Sequence, residues 1–134
     1  MNFDDAQLMV RGFFESAGIT SPGLNGKGFG GAEIESNALV FQFDAAALRC
    51  FAVVFRFDRP AADEVIERLM TYDTAKRWSD DRGRLVYLPA SLTLAVVRRF
   101  DEPVEVGQFT RDLLELVQRA SRWANEGIHD AMSP

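Results

Sequence analysis

Apolar and polar positions along this chain recur with two periods, and the switches between them mark out eight elements. Ala6, Met9, Val10, Phe13, Phe14 and Ala17 fall at helical spacing and predict a helix over residues 3–17. Asn2 suits its N-cap, Asp4 and Asp5 suit the positive end of its dipole, and Gly18 suits a left-handed stop. Residues 18–31 then hold six of the ten glycines, with Ser21, Pro22 and Asn25, which predicts a loop of low intrinsic order. Three strand-like runs follow. Residues 32–35 alternate weakly, and Leu39, Phe41 and Phe43 alternate with Val40, Gln42 and Asp44. In the third run Phe51, Val53, Phe55 and Phe57 line one face while Cys50, Ala52 and Val54 line the other. Both faces are apolar, as in a central strand or one whose far face is covered by a partner.

Asp58-Arg59-Pro60 opens a second helix, because proline tolerates the first turn where its missing N–H has no partner. Its stripe is Ala62, Val65, Ile66, Leu69 and Met70. Residues 71–84 read as a charged connector around Trp78, closed by the turn Asp80-Asp81-Arg82-Gly83. Residues 84–88 and 92–100 are two further strands, separated by Pro89. A last helix starts near Pro103 and runs to about Asn125 on Val106, Phe109, Leu113, Leu116, Val117, Ala120, Trp123 and Ala124. Gly127 is expected to end it, leaving residues 128–134 as a frayed tail. The order α-β-β-β-α-β-β-α, with hairpin-length connections, favours an antiparallel five-stranded sheet with helices packed on it. The expected class is α+β, in one domain spanning residues 1–134.

Composition narrows the function without naming it. The 134 residues carry a net charge of −5, all of it in the first half, since residues 68–134 balance ten basic against ten acidic side chains. A nucleic-acid partner needs a basic face, so none is expected. No run approaches the roughly 18–20 apolar residues of a membrane-spanning helix, and no membrane partner is expected. The acidic start Met1-Asn2-Phe3-Asp4-Asp5 is unlike a secretory signal, and the single Cys50 cannot close an intramolecular disulfide, so the chain reads as cytoplasmic.

Candidate chemistry is sparse. Gly26-Lys27-Gly28-Phe29-Gly30-Gly31 matches G-x-G-x-x-G letter for letter, but it follows a helix and precedes a strand, the reverse of a dinucleotide site. His129 alone cannot assemble a zinc site, and Cys50 sits among apolar strand residues as a buried, inert thiol. The pairs Asp4/Asp5, Asp80/Asp81 and Asp101/Glu102 fall at turns or helix starts, without the apolar setting that raises an acid catalyst's pKa. No catalytic residue, metal or cofactor is expected, and the chain does not read as an enzyme. Eleven phenylalanines say more. Either they form a phenylalanine-rich core, or one stripe stays exposed for a partner. Phe13 and Phe14, with Val40, Ala52 and Val54, are the candidate partner-binding residues.

Leu69-Met70-x-Tyr72-Asp73, Asp81-x-Gly83-Arg84-Leu85-Val86 and Phe109-x3-Leu113-Leu114-x2-Val117-x2-Ala120-x2-Trp123 occupy the second half. With the size, acidic pI and element order, they resemble the type III secretion chaperone-like superfamily, which includes Tir/CesT-type effector chaperones and YbjN domain proteins. Asp73 stands where those proteins carry an asparagine, and the 18–31 segment is longer. The resemblance implies a non-enzymatic homodimer that holds an extended, effector-like polypeptide by apolar capture and strand addition. On that basis the first helix and first strands would form the groove, and Val65, Ile66, Leu69 and Met70, or a sheet edge, the dimer contact. The alternative is a YbjN-like sensory or regulatory domain that holds no client. A third reading is a small-ligand binder with the glycine-rich loop as its lid.

Overall fold

The computed structural model describes residues 1–133; Pro134, the last residue of the expected tail, lies outside them. The elements run α1 (Phe3–Ser16), β1 (Phe29–Ile34), β2 (Asn37–Asp44), β3 (Ala47–Arg56), α2 (Asp63–Lys76), β4 (Arg84–Leu88), β5 (Thr93–Phe100), α3 (Val106–Arg122) and α4 (Ile128–Met132). A wide π-helical stretch, Trp123–Gly127, joins the last two. The five strands form one sheet in the order β1-β2-β3-β5-β4, with every pairing antiparallel. The α+β architecture expected from the periodicity is the one observed. α2 carries the chain from β3 to the far edge, and β5 returns to the centre.

α1 begins as its sequence requires. Asn2 and Asp5 form a reciprocal capping box, with the Asp5 N–H donating to Asn2 Oδ1 at 2.8 Å. Its buried stripe is Ala6, Met9, Val10, Phe13 and Phe14. These rings meet Phe41 of β2 and Phe109 of α3 at centroid distances of 5.7–6.3 Å, edge to face, and Phe100 of β5 closes on Phe109 at 5.1 Å. Leu39, Cys50, Ala52, Leu94 and Val96 complete the floor beneath α3.

The glycine-rich segment is held by its own chain. Gln7 of α1 accepts from the Leu24 N–H at 2.7 Å and donates to its carbonyl at 2.8 Å, burying the Leu24 side chain. Asn25 Oδ1 accepts from the N–H groups of Lys27 and Phe29, and the Phe43 N–H donates to the Gly28 carbonyl at 2.7 Å. β1 therefore starts at Phe29, three residues before the alternation begins, because backbone pairing with β2 rather than side-chain pattern defines it.

The second half departs from its sequence reading at four places. α2 begins at Asp63 behind the N-cap Ala62, so Pro60 lies before the helix rather than in its first turn. The supposed connector after residue 70 is still α2, which runs to Lys76 and stops at Arg77 in the left-handed region, φ +56°. Asp73 thus lies on the helix, nearly buried. Ser79 Oγ donates to Asp73 Oδ2 at 2.6 Å and accepts from the Leu85 N–H at 2.9 Å, tying the end of α2 to β4. Gly127 does not end the last helix, and residues 128–132 are helical rather than frayed. α4 packs back on α2, where Arg68 donates to the Met132 carbonyl at 3.2 Å and the Tyr72 hydroxyl donates to Asp130 at 3.3 Å.

Gly127 is needed for space. A Cβ there would run into the Trp123 ring and lie 2.7 Å from Trp78 Cζ3. Tyr72, Trp78 and Trp123 form an edge-to-face cluster, the two indoles 4.8 Å apart, joining α2, the α2–β4 connection and the C-terminal helix. Gly127→Ala is therefore expected to cost about 1–3 kcal/mol in urea unfolding by overpacking this cluster, despite alanine's better helix propensity.

Candidate functional site

Alternation sends one side chain in two from each strand to the face opposite the helices. Register aligns these residues in rows. Val40 of β2 lies beside Phe51 of β3, Phe51 beside Val97 of β5, and Val97 beside Arg84 at the β4 edge. The next row runs Val53, Ala95 and Val86, and beyond a bulge in β3 the last runs Arg56, Thr93 and Leu88. Val40, Phe51, Val53, Val86, Leu88 and Val97 are half-buried, and Phe29 on β1 is 46% exposed. Phe29, Val40, Gln42, Phe51, Val53, Arg56, Leu88, Ser91 and Thr93 line a shallow cavity of about 260 Å³. That is smaller than most small-molecule pockets and suits one or two projecting side chains. Arg49, Arg84 and Arg99 rim the face, each ion-paired to an exposed aspartate at 2.7–3.3 Å.

Five residues were expected to meet a partner, and the structure separates them. Phe13, Phe14 and Ala52 are 0–1% exposed and Val54 is 9% exposed, all under the helices. Only Val40 lies on the open face. The sequence reading put Val40, Ala52 and Val54 on one surface, but register pairs Ala52 with Leu39 and Val40 with Phe51. The two faces of β3 are thus exchanged. The helix side is already filled by phenyl rings from α1, β2 and α3, so β3 contributes its small residues there and turns Phe51 and Val53 outward. Periodicity could not choose, since both faces are apolar.

On α2, Leu69 is buried while Val65, Ile66 and Met70 are half-buried. Val65 adjoins a second apolar hollow with Phe55, Phe57, Pro60, Ala61 and Ala62. Phe55 is 49% exposed and stacks edge to face on Phe57 at 4.9 Å, which in turn meets Tyr87. Phe55 and Phe57 were legible in the sequence as large apolar residues, but the bulge at Val53/Phe55 that moves Phe55 out of the sheet pattern was not.

Two of the titratable candidates, Cys50 and Asp80, have well-defined surroundings. Burial pushes the Cys50 thiol well above its usual value, and the Arg98 guanidinium only partly offsets this. Arg119 grips Asp80 with two hydrogen bonds, 2.8 and 3.1 Å, which hold that carboxyl below its usual value. The Arg82 N–H adds to the effect, and partial desolvation opposes it. His129 is exposed on α4, and the described residues hold no His, Cys, Asp or Glu group suited to a metal. No described helix is long and apolar enough to cross a membrane.

No protein-family model and no curated protein matches the sequence. Solved structures match the fold. A chain of the ExsC–ExsE complex aligns with a TM-score of 0.73 over 95% of this chain and 97% of its own, at 14% identity. The protein has the type III secretion chaperone-like fold. A chain of the HopA1–SchA chaperone–effector complex aligns at 0.65 over 92% of this chain and 98% of its own, also at 14% identity. In this chaperone-like fold the chemistry available at the open face is apolar contact, with main-chain pairing at the edge strands β1 and β4.

The Asp80–Arg119 pair gives a pH signature. A carboxyl whose folded pKa is depressed contributes its stability above the unfolded value of about 3.9 and loses it as pH falls through the folded value. Asp80→Asn should therefore lower the urea midpoint at neutral pH by a modest amount, and the gap to the unsubstituted protein should close towards pH ~2. A gap unchanged with pH would contradict this assignment.

Proposed function

We propose that this protein is a non-enzymatic, chaperone-like binder of an extended, effector-like polypeptide segment, acting as a homodimer in the cytoplasm. The observation that carries the reading is the open sheet face, where Val40, Phe51, Val53, Leu88 and Val97 make an apolar surface that no element of the chain covers among the described residues. Its cavity is of side-chain size, which fits alternate residues of a bound strand better than a compact small molecule. The fold is shared with chains of an ExsC–ExsE complex and of a chaperone–effector complex, HopA1–SchA, which supports a polypeptide as the occupant. In this reading the dimer contact is made by the half-buried Val65, Ile66 and Met70 of α2, with Phe55 and Phe57 beside Val65. Leu69 supports this helix from the inside.

Two measurements test the reading. Light scattering should give about 30 kDa, twice the 15.0 kDa chain, and Val65→Glu with Met70→Glu should give the monomer mass. Val40→Ser with Phe51→Ser should weaken binding of a labelled peptide that alternates leucine or valine with serine by about tenfold or more, by anisotropy. Absence of binding by the unsubstituted protein, or equal binding by the folded variant, would overturn the client-holding function and favour a regulatory domain.

A further inference from the structure

The C-terminal ends of α2 and α3 converge on a pocket of about 400 Å³ that the polypeptide-binding reading leaves unused. Four cationic side chains line it, Lys76, Arg77, Arg119 and Arg122, against one carboxylate, Asp80. The whole chain carries −5, so this is a local reversal of sign. The four cations are not equivalent. Arg119 is consumed by the fold, since besides Asp80 it donates to Glu115 at 3.2 Å and to the carbonyls of Trp78 and Gly83 at 3.4 Å. Arg122 sits over Trp78, its guanidinium carbon 3.9 Å from the ring centroid, and this cation–π contact leaves its N–H groups for other partners. Its carboxylate neighbour, Glu126, is 3.5 Å away with both side chains exposed, an arrangement that contributes little. Lys76 and Arg77 make no ion pair among the described residues, and Arg77 stands out from the end of α2 in the left-handed conformation.

We propose that this pocket is a second binding site, for the carboxylates of an acidic polypeptide segment, with Lys76, Arg77 and Arg122 as their partners. The proposal rests on the protein being a polypeptide binder and adds the chemistry of part of the partner. Cations contributed by two separate elements suit carboxylates on successive residues of one segment. The available cations come from two places, Lys76 and Arg77 at the end of α2 and Arg122 at the end of α3, while both terminal nitrogens of Arg119 are already engaged by Asp80 and Glu115. The π-helical stretch belongs to the same feature, because it places Trp123 against Trp78 and so holds the platform under Arg122. An acidic segment, repelled by the rest of the surface, is steered to this end of the molecule.

Both tryptophans of the chain line the pocket, so its occupancy is readable from intrinsic emission. The full-length protein is titrated with a tryptophan-free peptide of alternating Asp, Glu and Ser, with its Asn/Gln counterpart, and with inorganic phosphate. The acidic peptide should change the emission saturably, and about 0.5 M NaCl should weaken it at least tenfold by screening exposed charges. Lys76→Gln with Arg77→Asn, where asparagine tolerates the left-handed backbone, should weaken it by a similar factor while leaving the peptide-free emission unchanged. The same variant should bind the leucine/valine–serine peptide normally. No response to the acidic peptide, an equal response to its amide counterpart, or equal saturation by phosphate would each overturn the proposal. Normal binding of the apolar peptide in that event leaves the open-face reading standing, so the two failures are distinguishable.

Discussion

A sheet has two faces, and every helix that packs on this one packs on the same side. The constraint originates in five phenyl rings. Phe13 and Phe14 from α1, Phe41 from β2, Phe100 from β5 and Phe109 from α3 interlock edge to face, and each is 5% exposed or less. Burying such rings contributes roughly 2–3 kcal/mol apiece, which anchors α1 and α3 over the centre of the sheet. With that volume filled, β3 has room on the helix side only for Leu48, Cys50, Ala52 and Val54, and its larger aromatic is turned outward. The open apolar face is thus a consequence of how the core is packed.

At the other end of the molecule a smaller aromatic cluster does a different job. Tyr72, Trp78 and Trp123 join three segments distant in sequence, and Gly127 lets them close. The hydrogen bonds from Ser79 to Asp73 and from Leu85 to Ser79, and the clamp of Arg119 on Asp80, fix the α2–β4 connection beside it. The cationic pocket is therefore built from well-held elements, while Lys76 and Arg77 make no ion pair among the described residues.

Much of this was legible in the sequence, for identifiable reasons. α1, with its cap and five-residue stripe, and the five strands in order follow from strong periodicity with clear punctuation. The fold class followed from those strands and the short connections between them. What failed were features decided by tertiary contact. The chain beyond residue 70 looks like a charged connector because only Tyr72 and Asp73 turn inward there. Gly127 looks like a helix stop, and only the two indoles against it show that it is a spacer. The same limit governs the site. Val40 was named, but Phe51 and Val53 were placed on the core side, because a strand apolar on both faces carries no label saying which one the helices will take. The pocket at the end of α2 depends on side chains from residues 76 to 123, which no local motif connects.

On the proposed function, the outward face of the sheet, rather than the helical layer, holds the partner. Carbene footprinting of the full-length protein, with and without the leucine/valine–serine peptide, reads this directly, since the label inserts at any exposed side chain. Protection is expected to centre on Val40, Phe51, Val53 and Val97, with labelling of exposed Leu8 and Leu114 on α1 and α3 unchanged. Protection of the helical layer with the sheet face still fully labelled would contradict it.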